Sequence, residues 1–247
     1  YKQVTSNFKK TMRNFLFIAL LTIILSGWIA LEILPTTTES YDLKGKVEFF
    51  SERSVKIQLD KNWEYSLDTI NPYYFISNKF FNNKGVLDSI YYFDKDSLFL
   101  SKVLYNYTSD NKGIVSVQYD KHGKKINETK FVSFKDSIAY VEDYNANTKE
   151  ILSKTWTKKV NLKTIWMKSE NMKNKFYSEW VYERDDSGIE IGIKTKFGPD
   201  KKQDYRTIKI KYLEWDNKGN WTKRIEYNVR EPETDCMLKN RHIEYYE

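Results

Sequence analysis

Two tryptophans bracket an acidic turn near the C-terminus, in the stretch "YLEWDNKGNWTKRIEYN" (212–228). Indole rings are large, rigid surfaces that can stack on sugar rings or on apolar peptide side chains. Trp215 and Trp221 are therefore candidates for an aromatic binding platform. The alternative is that both rings fill the buried face of a sheet, because exposed aromatic patches are unfavourable unless they bind something. The sequence favours packing and keeps the platform as a hypothesis.

Residues that support catalysis are scarce. The chain has two histidines and one cysteine: His122 lies in the turn "DKHGK", His242 lies in "NRHIEYY", and Cys236 lies in "TDCMLK". A metal site would need carboxylates brought together from distant segments. Nucleophile, phosphate-loop, dinucleotide, metalloprotease and calcium-loop patterns are absent from the sequence. We therefore expect no catalytic, cofactor-binding or metal-binding residues, and a protein that is not an enzyme.

Short Asp-Ser or Asp-Thr steps followed by an aliphatic residue occur at four places. They resemble the tripeptide that is O-glycosylated on periplasmic and secreted proteins of Bacteroidota. The resemblance implies four candidate acceptors, Thr69, Ser89, Ser97 and Ser137. Alternatively, each step simply begins a strand after a turn, because Asp and Ser hydrogen-bond to the nearby backbone there.

The net charge of +7 is spread unevenly. Residues 1–35 contain four basic residues, Lys2, Lys9, Lys10 and Arg13, and one acidic residue, Glu32. The rest of the chain therefore has 37 basic and 33 acidic residues. These charges are interspersed, and we expect them to form an ordinary solvated surface. No basic patch for nucleic acid is predicted.

An apolar segment, "NFLFIALLTIILSGWIALEIL" (14–34), has the length of a transmembrane helix. Lys9, Lys10 and Arg13 precede it, so the positive-inside rule predicts a cytoplasmic N-terminus (1–13) and a periplasmic C-terminal domain. The sequence thus predicts a single-pass protein of the bacterial inner membrane that contacts lipid through 14–34. A cleaved signal peptide is the alternative, but its apolar core would be shorter. Ser26 and Gly27 are small residues that could permit close contact with a partner helix.

The remaining chain, a linker at 35–45 and a domain at 46–247, has the pattern of antiparallel strands. In "RTIKIKYLEW" (206–215), Ile208, Ile210 and Tyr212 alternate with Lys209 and Lys211, which predicts a strand with one buried face. About 13–15 such segments are separated by Asn, Asp and Gly turns every ~8–12 residues. We predict an all-β antiparallel meander of repeated hairpins, in the form of a curved sheet, a sandwich or an open barrel. The stretch 161–180 could hold a short helix, but its β-branched and aromatic residues also suit strands, and strands are expected there.

The hairpin units repeat one theme, seen in "FFNNKGVLDSIYYF", "YTSDNKGIVSVQYD", "QYDKHGKKINETKF" and "EWDNKGNWTKRIEY". Each unit has an aromatic residue, an Asp or Asn, a Gly about three positions on, and an alternating strand. "YDKHGKK", "WDNKGNWTKR", the opening "YDLKGKVEFFSERSV" and the terminal "RHIEYY" resemble the YD-type repeats of RHS-like proteins, as found in secreted and periplasmic proteins of Bacteroidota. The resemblance implies an extracytoplasmic sheet of repeated hairpins and no particular activity.

Two functions remain open at this level. The first is a membrane-anchored accessory or structural subunit of a cell-envelope complex, which would engage protein partners through its transmembrane helix and the edges of its periplasmic sheet. The second is a periplasmic or surface module that binds a glycan or a peptide through its aromatic residues.

Overall fold

The structure is a computed structural model that describes residues 37–68, 74–107, 113–161, 163–199, 205–233 and 235–247. The chain divides into the units Tyr1–Pro35 and Thr36–Glu247, and only the second is described below. The predicted membrane segment 14–34, with Ser26 and Gly27, lies outside the described residues, and so does Thr69. Within the described part, no helix is long and apolar enough to span a bilayer.

The described residues form fifteen β-strands and one short 3-10 helix, Thr38–Tyr41. The strands are β1 Val47–Leu59, β2 Tyr65–Leu67, β3 Tyr74–Phe81, β4 Leu87–Phe93, β5 Phe99–Tyr105, β6 Gly113–Asp120, β7 Lys125–Lys135, β8 Ile138–Asn145, β9 Ile151–Val160, β10 Lys163–Asn171, β11 Tyr177–Arg184, β12 Glu190–Gly198, β13 Arg206–Trp215, β14 Trp221–Asn228 and β15 Cys236–Tyr245. The prediction of an all-β antiparallel meander is confirmed, and so are the strands expected in 161–180.

The sheet closes into a barrel of fourteen strands within the described part of the chain. Each strand from β4 to β14 pairs with both of its sequence neighbours, and β1 pairs with β3 on one side and with β15 on the other. The short β2 pairs with the end of β1, on the edge that β3 also uses. This closed form differs from the curved sheet, sandwich and open barrel that were expected. Closure pairs the backbone groups of the first and last strands, which would otherwise remain free edges.

The repeated turn has a common hydrogen-bonding pattern. The carboxylate of Asp216 accepts hydrogen bonds from the backbone N–H groups of Lys218 (2.9 Å) and Asn220 (2.8 Å). Gly219 has a φ of 76° at the position where the chain reverses. Glycine occupies this left-handed conformation without steric penalty, which explains the Asp/Asn-x-x-Gly theme of the sequence. Equivalent turns begin at Asp60, Asn82, Asp94, Asp120 and Asp185.

Strand alternation separates an inner face from an outer face. In β13, Ile208, Ile210 and Tyr212 point into the barrel and Lys209 and Lys211 point outward, as the sequence predicted. The inner assignment follows from the register, because Tyr212 is paired with Arg224 of β14, which contacts Glu190 and the ring of Trp221 inside the barrel. The packed interior includes an apolar cluster of buried residues: Leu43, Val47, Phe50, Phe81, Leu87 and Ile90.

The segment before β1 crosses one end of the barrel, which we call the capped end. The backbone N–H of Thr38 donates to the carbonyl of Gly85 (3.0 Å), and the carboxylate of Asp42 pairs with Arg184 (2.9 Å) and Lys163 (3.0 Å). The ring of Tyr41 packs against Phe50, with 5.3 Å between ring centroids. Within the predicted linker at 35–45, the described residues from Thr37 onward thus pack against the end of the barrel.

Candidate functional site: an aromatic groove on the outer face

A groove of about 300 Å³ lies on the outer face of the barrel, between β3 and β4. Its lining consists of Asn78, Phe80, Asp88, Ser89, Tyr91 and Phe93. The register explains why they meet, because Phe80 is paired with Ser89 and Asn78 is paired with Tyr91, so these four side chains share one face. The sequence of β4 supplies the rest, since Tyr91 and Phe93 alternate along the strand.

Aromatic rings form a continuous strip across this part of the outer face. Phe80 contacts Phe49 of β1, with 4.9 Å between centroids, and contacts Tyr91 at 5.5 Å. Tyr91 in turn lies 6.1 Å from Phe99 of β5. Phe80 is 37% exposed, although it has aromatic neighbours on both sides. The strip therefore presents ring faces and edges to whatever occupies the groove.

Polar groups of the groove are available to a ligand. The Oδ1 atom of Asn78 is buried and has no hydrogen-bond partner among the described residues. Ser89 lies deeper, with only 5% of its surface exposed, whereas Asp88 is exposed at the rim. A buried amide oxygen without a partner has lost its hydrogen bonds to water and has gained none from the protein. A donor from a ligand would therefore stabilise it. Three aromatic rings beside an amide, a carboxylate and a hydroxyl suit a ligand with apolar C–H faces and hydroxyl groups.

The outer face of β8–β13 has a different character, because its aromatic rings, such as the stacked Tyr140 and Trp156, lie among charged side chains and ion pairs. Lys154 pairs with Glu142 (3.8 Å), and Glu183 lies between Lys194 (2.7 Å) and Lys209 (3.0 Å). The two lysines hold the pKa of the Glu183 carboxyl below its ordinary value through hydrogen bonds and charge. This charged wall matches the solvated surface that the sequence predicted.

Inside the barrel, however, that prediction is wrong for several charges. Glu52 pairs with Arg241 (2.9 Å), and Arg224 contacts Glu226 and Glu190 in the packed interior. Burial raises the pKa of Glu52, but the combined charges of Arg241, Lys239, Lys79 and Arg224 more than offset this effect and leave the pKa well below its usual range. The sequence gave no sign that these charges are buried, because pairs such as Glu52 and Arg241 join residues from distant parts of the chain.

Burial also shifts neighbouring groups of this charge cluster. It lowers the pKa of Lys79 to about 8 despite the opposing charge of Glu52. The ammonium group of Lys79 donates to the hydroxyl of Ser77 (2.7 Å) and lies 4.6 Å from the centroid of the Phe50 ring. In Glu190, burial raises the pKa and the charge of Arg224 only partly opposes it. These groups fill the interior and do not reach the outer groove.

The tryptophans proposed as a platform are paired across β13 and β14 and both pack against Tyr212, but they differ in exposure. Trp221 is 2% exposed, and the guanidinium groups of Arg241 and Arg224 lie 3.5 Å and 4.2 Å from its centroid. This is a packing role, and both charged neighbours occupy space that a ligand would need. Trp215 is 44% exposed and packs against Tyr212, 4.8 Å away. The two rings therefore do not present one shared surface.

The candidate glycosylation sites also differ from one another. Ser97 and Ser137 are exposed, with φ values of 62° and 63° in tight turns, whereas Ser89 is buried in the wall of the groove. Ser97 replaces the glycine of the common turn, after Asp94. Attachment of a glycan to any of them stays a prediction.

The remaining chemically interesting residues have structural environments. His122 lies in the turn capped by Asp120, His242 lies on the outer face beside Glu244, and the thiol of buried Cys236 donates to the carbonyl of Ile57 (2.8 Å). No group of three or more His, Cys, Asp or Glu side chains with metal-binding geometry occurs in the described ranges.

Sequence reasoning missed the groove, although most of its residues lie in a quoted hairpin unit. "FFNNKGVLDSIYYF" (80–93) contains Phe80, Asp88, Ser89, Tyr91 and Phe93. Alternation predicted that Tyr91 and Phe93 share a face. What was overlooked is that both residues of this pair are aromatic, which marks the face as a candidate binding surface. Asn78 could only be found through the strand register.

No family model matches the chain, and no curated protein matches it. Among solved structures, a porin-like protein from Bacteroides uniformis is similar over 86% of this chain and 99% of that chain, with 10% identity and a TM-score of 0.44. A Tc holotoxin pore from Photorhabdus luminescens is similar over 75% of this chain and 11% of that chain, with 13% identity and a TM-score of 0.18. At these scores neither likeness bears on function.

Proposed function

We propose that the barrel is a non-enzymatic carbohydrate-binding module of the cell envelope, with the groove between β3 and β4 as its site. The observation that carries this proposal is the unpartnered, buried Oδ1 of Asn78 within a groove of three aromatic rings. A sugar presents an apolar C–H face to an aromatic ring and hydroxyl groups around its edge. One such hydroxyl can donate to Asn78 while a ring of the groove covers the C–H face.

The dimensions of the groove restrict the ligand. A volume of about 300 Å³ lies at the lower limit of small-molecule sites. It suits one sugar unit of a chain, whose neighbouring units would extend along the outer surface. The exposed carboxylate of Asp88 at the rim favours neutral or basic sugars over acidic ones, because like charges repel.

The charged wall supports an aqueous location for the domain. Lysine and glutamate side chains in mid-strand, such as Lys194 and Glu183, face outward on β11 and β12. Such groups are strongly hydrated, and removing them from water is unfavourable even when they are paired. This chemistry fits a periplasmic or surface-exposed barrel that the predicted anchor at 14–34 attaches to the cell envelope.

Glycan binding can be tested with the full chain purified in mild detergent. We expect selected glycans to bind on an array, and calorimetry with the best of them to give a dissociation constant. Tyr91→Ala and Asn78→Ala should each weaken binding about tenfold or more, which corresponds to the ~1–3 kcal/mol of a lost ring contact or hydrogen bond. Tyr140→Ala is the matched control, because Tyr140 is an outward tyrosine on β8, far along the sheet from the groove. Absence of any glycan ligand, or equal effects of all three variants, would overturn the proposal.

The accessory-subunit hypothesis has less support from the geometry. Docking by strand addition needs an unpaired edge, and in the described residues both edges of the fourteen barrel strands are paired. Partner binding through the helix at 14–34 stays a prediction. Copurification of a stoichiometric protein partner from native membranes, together with failure of the glycan screen, would favour this function over glycan binding.

A further inference from the structure

The barrel interior is divided into two halves that differ in packing. The packed half consists of the inward faces of β1, β3, β14 and β15, where Phe50, Ser77 and Arg224 are 0%, 1% and 7% exposed. The accessible half consists of the inward faces of β5–β10, where most inward polar side chains are half-buried and Ser116, 7% exposed, is the exception among the described residues. A side chain that faces the inside of a closed barrel reaches water only if the interior is open beside it. Solvent therefore enters the accessible half.

The accessible half is lined by polar side chains, which we call the inner polar wall. They are Ser101, Gln118, Asn127, Thr129, Asp143, Ser153, Thr155 and Ser169. Neighbouring members are hydrogen-bonded across the strands, as in Asn127 to Gln118 (2.9 Å) and Thr155 to Ser169 (3.2 Å). These lateral bonds hold the side chains in fixed positions, which is the preorganisation that a ligand site requires.

Asp143 differs from the other members because it is charged. Its carboxylate accepts hydrogen bonds from the hydroxyls of Thr129 (2.6 Å) and Ser153. No lysine or arginine of the described residues forms an ion pair with it, in contrast to the carboxylates of the packed half. A carboxylate has about four acceptor positions, so two hydroxyl donors leave room for a further donor. An inward-facing anion without a cation attracts positively charged ligands.

We propose that the inner polar wall binds a small hydrophilic compound with a primary ammonium group, which donates to the carboxylate of Asp143. The hydroxyl and amide groups around Asp143 would contact polar substituents of the same compound.

Access to this site is from the end of the barrel opposite the capped end. The 3-10 helix and Asp42 cross the capped end, where Asp42 is paired with Arg184 and Lys163. Asp143 and Ser153 both lie close to the β8–β9 turn at the opposite end. The site is therefore separate from the outer groove, and the two can be tested independently.

Glucosamine and glucose are suitable probes, since they differ at one position, where an ammonium group replaces a hydroxyl. With the full chain, we expect titration by calorimetry or NMR to show glucosamine binding at least tenfold tighter than glucose at pH 6. Asp143→Asn keeps the size of the side chain and should remove this preference. Asp96→Asn is the matched control, because Asp96 is an exposed turn carboxylate at the same end of the barrel.

A second variant keeps the proposal testable if Asp143→Asn fails to fold. Thr129→Lys places a tethered ammonium group beside Asp143 and should block glucosamine while leaving glycan binding to the outer groove unchanged. Equal affinity for the two sugars, or unchanged glucosamine binding by both folded variants, would overturn the proposal. Loss of glucosamine binding in Tyr91→Ala would place the probe in the outer groove and overturn it as well.

Discussion

The packed and accessible halves of the barrel interior are made of similar alternating strands, yet they hold different kinds of side chain. In the packed half, charged groups such as Glu52 and Arg241 are buried and paired, and aromatic rings fill the space around them. In the accessible half, hydroxyls and amides bond to one another and remain in contact with water. The difference shows that the burial of a side chain, rather than the polar character of its face, determines how much a substitution lowers the free energy of unfolding.

The largest effect is expected from Arg241→Met in the packed half. Arg241 donates to Glu52 (2.9 Å) and to the carbonyl of Tyr41 (3.1 Å), and its guanidinium lies over Trp221. Removing it leaves the carboxylate of Glu52 buried without its partner, which should lower the free energy of unfolding by ~3–5 kcal/mol. Chemical denaturation of the full chain in detergent, followed by circular dichroism, measures this change.

Lys154→Met is the control for that substitution. Lys154 forms an ion pair with Glu142 (3.8 Å) on the water-facing charged wall, where the loss should be under ~1 kcal/mol. Similar losses for Arg241→Met and Lys154→Met would show that the packed half is in fact hydrated.

The sequence was informative about strands and turns because those signals are local. Alternation placed Ile208 and Lys209 on opposite faces, and Asp216 with Gly219 marked a turn, since each pattern depends on residues a few positions apart. Closure could not be predicted, because Val47 pairs with Tyr245 across nearly the whole described chain. Without closure, nothing in the sequence distinguishes an inward charge from an outward one.

The sites were harder to predict for the same reason. Phe80 and Tyr91 occur in a recognised hairpin unit, but Asn78 and Phe49 join them only through the pairing of β1, β3 and β4. The two tryptophans were chosen for their ring size, and ring size does not say which face of the sheet a residue occupies. Trp221 proved to be buried because Arg224 and Arg241 cover it.

A second prediction concerns Lys79 and pH. Burial lowers its pKa from the usual 10.5 to about 8, so the unfolded chain binds more protons at this residue between pH 8 and 10.5. The penalty for keeping Lys79 charged in the folded state is therefore full below pH 8 and fades as pH rises. We expect the stability of the wild type to rise relative to Lys79→Met between pH 8 and 10, by ~2 kcal/mol. Parallel denaturation curves at these pH values measure it, and a constant difference between the two proteins would contradict it.

The smallest and most selective test compares two inward serines. The hydroxyl of Ser77, in the packed half, accepts the hydrogen bond of Lys79 (2.7 Å), and Ser169, in the accessible half, accepts that of Thr155 (3.2 Å). Ser77→Ala leaves a buried ammonium group without its hydrogen-bond acceptor, and should lower the free energy of unfolding by ~1–3 kcal/mol. After Ser169→Ala, water can take the place of the lost hydroxyl beside Thr155, so the change should stay within ~0.5 kcal/mol. If Ser169→Ala were as destabilising as Ser77→Ala, the inner polar wall would be dry, and a hydrophilic ligand could not reach Asp143.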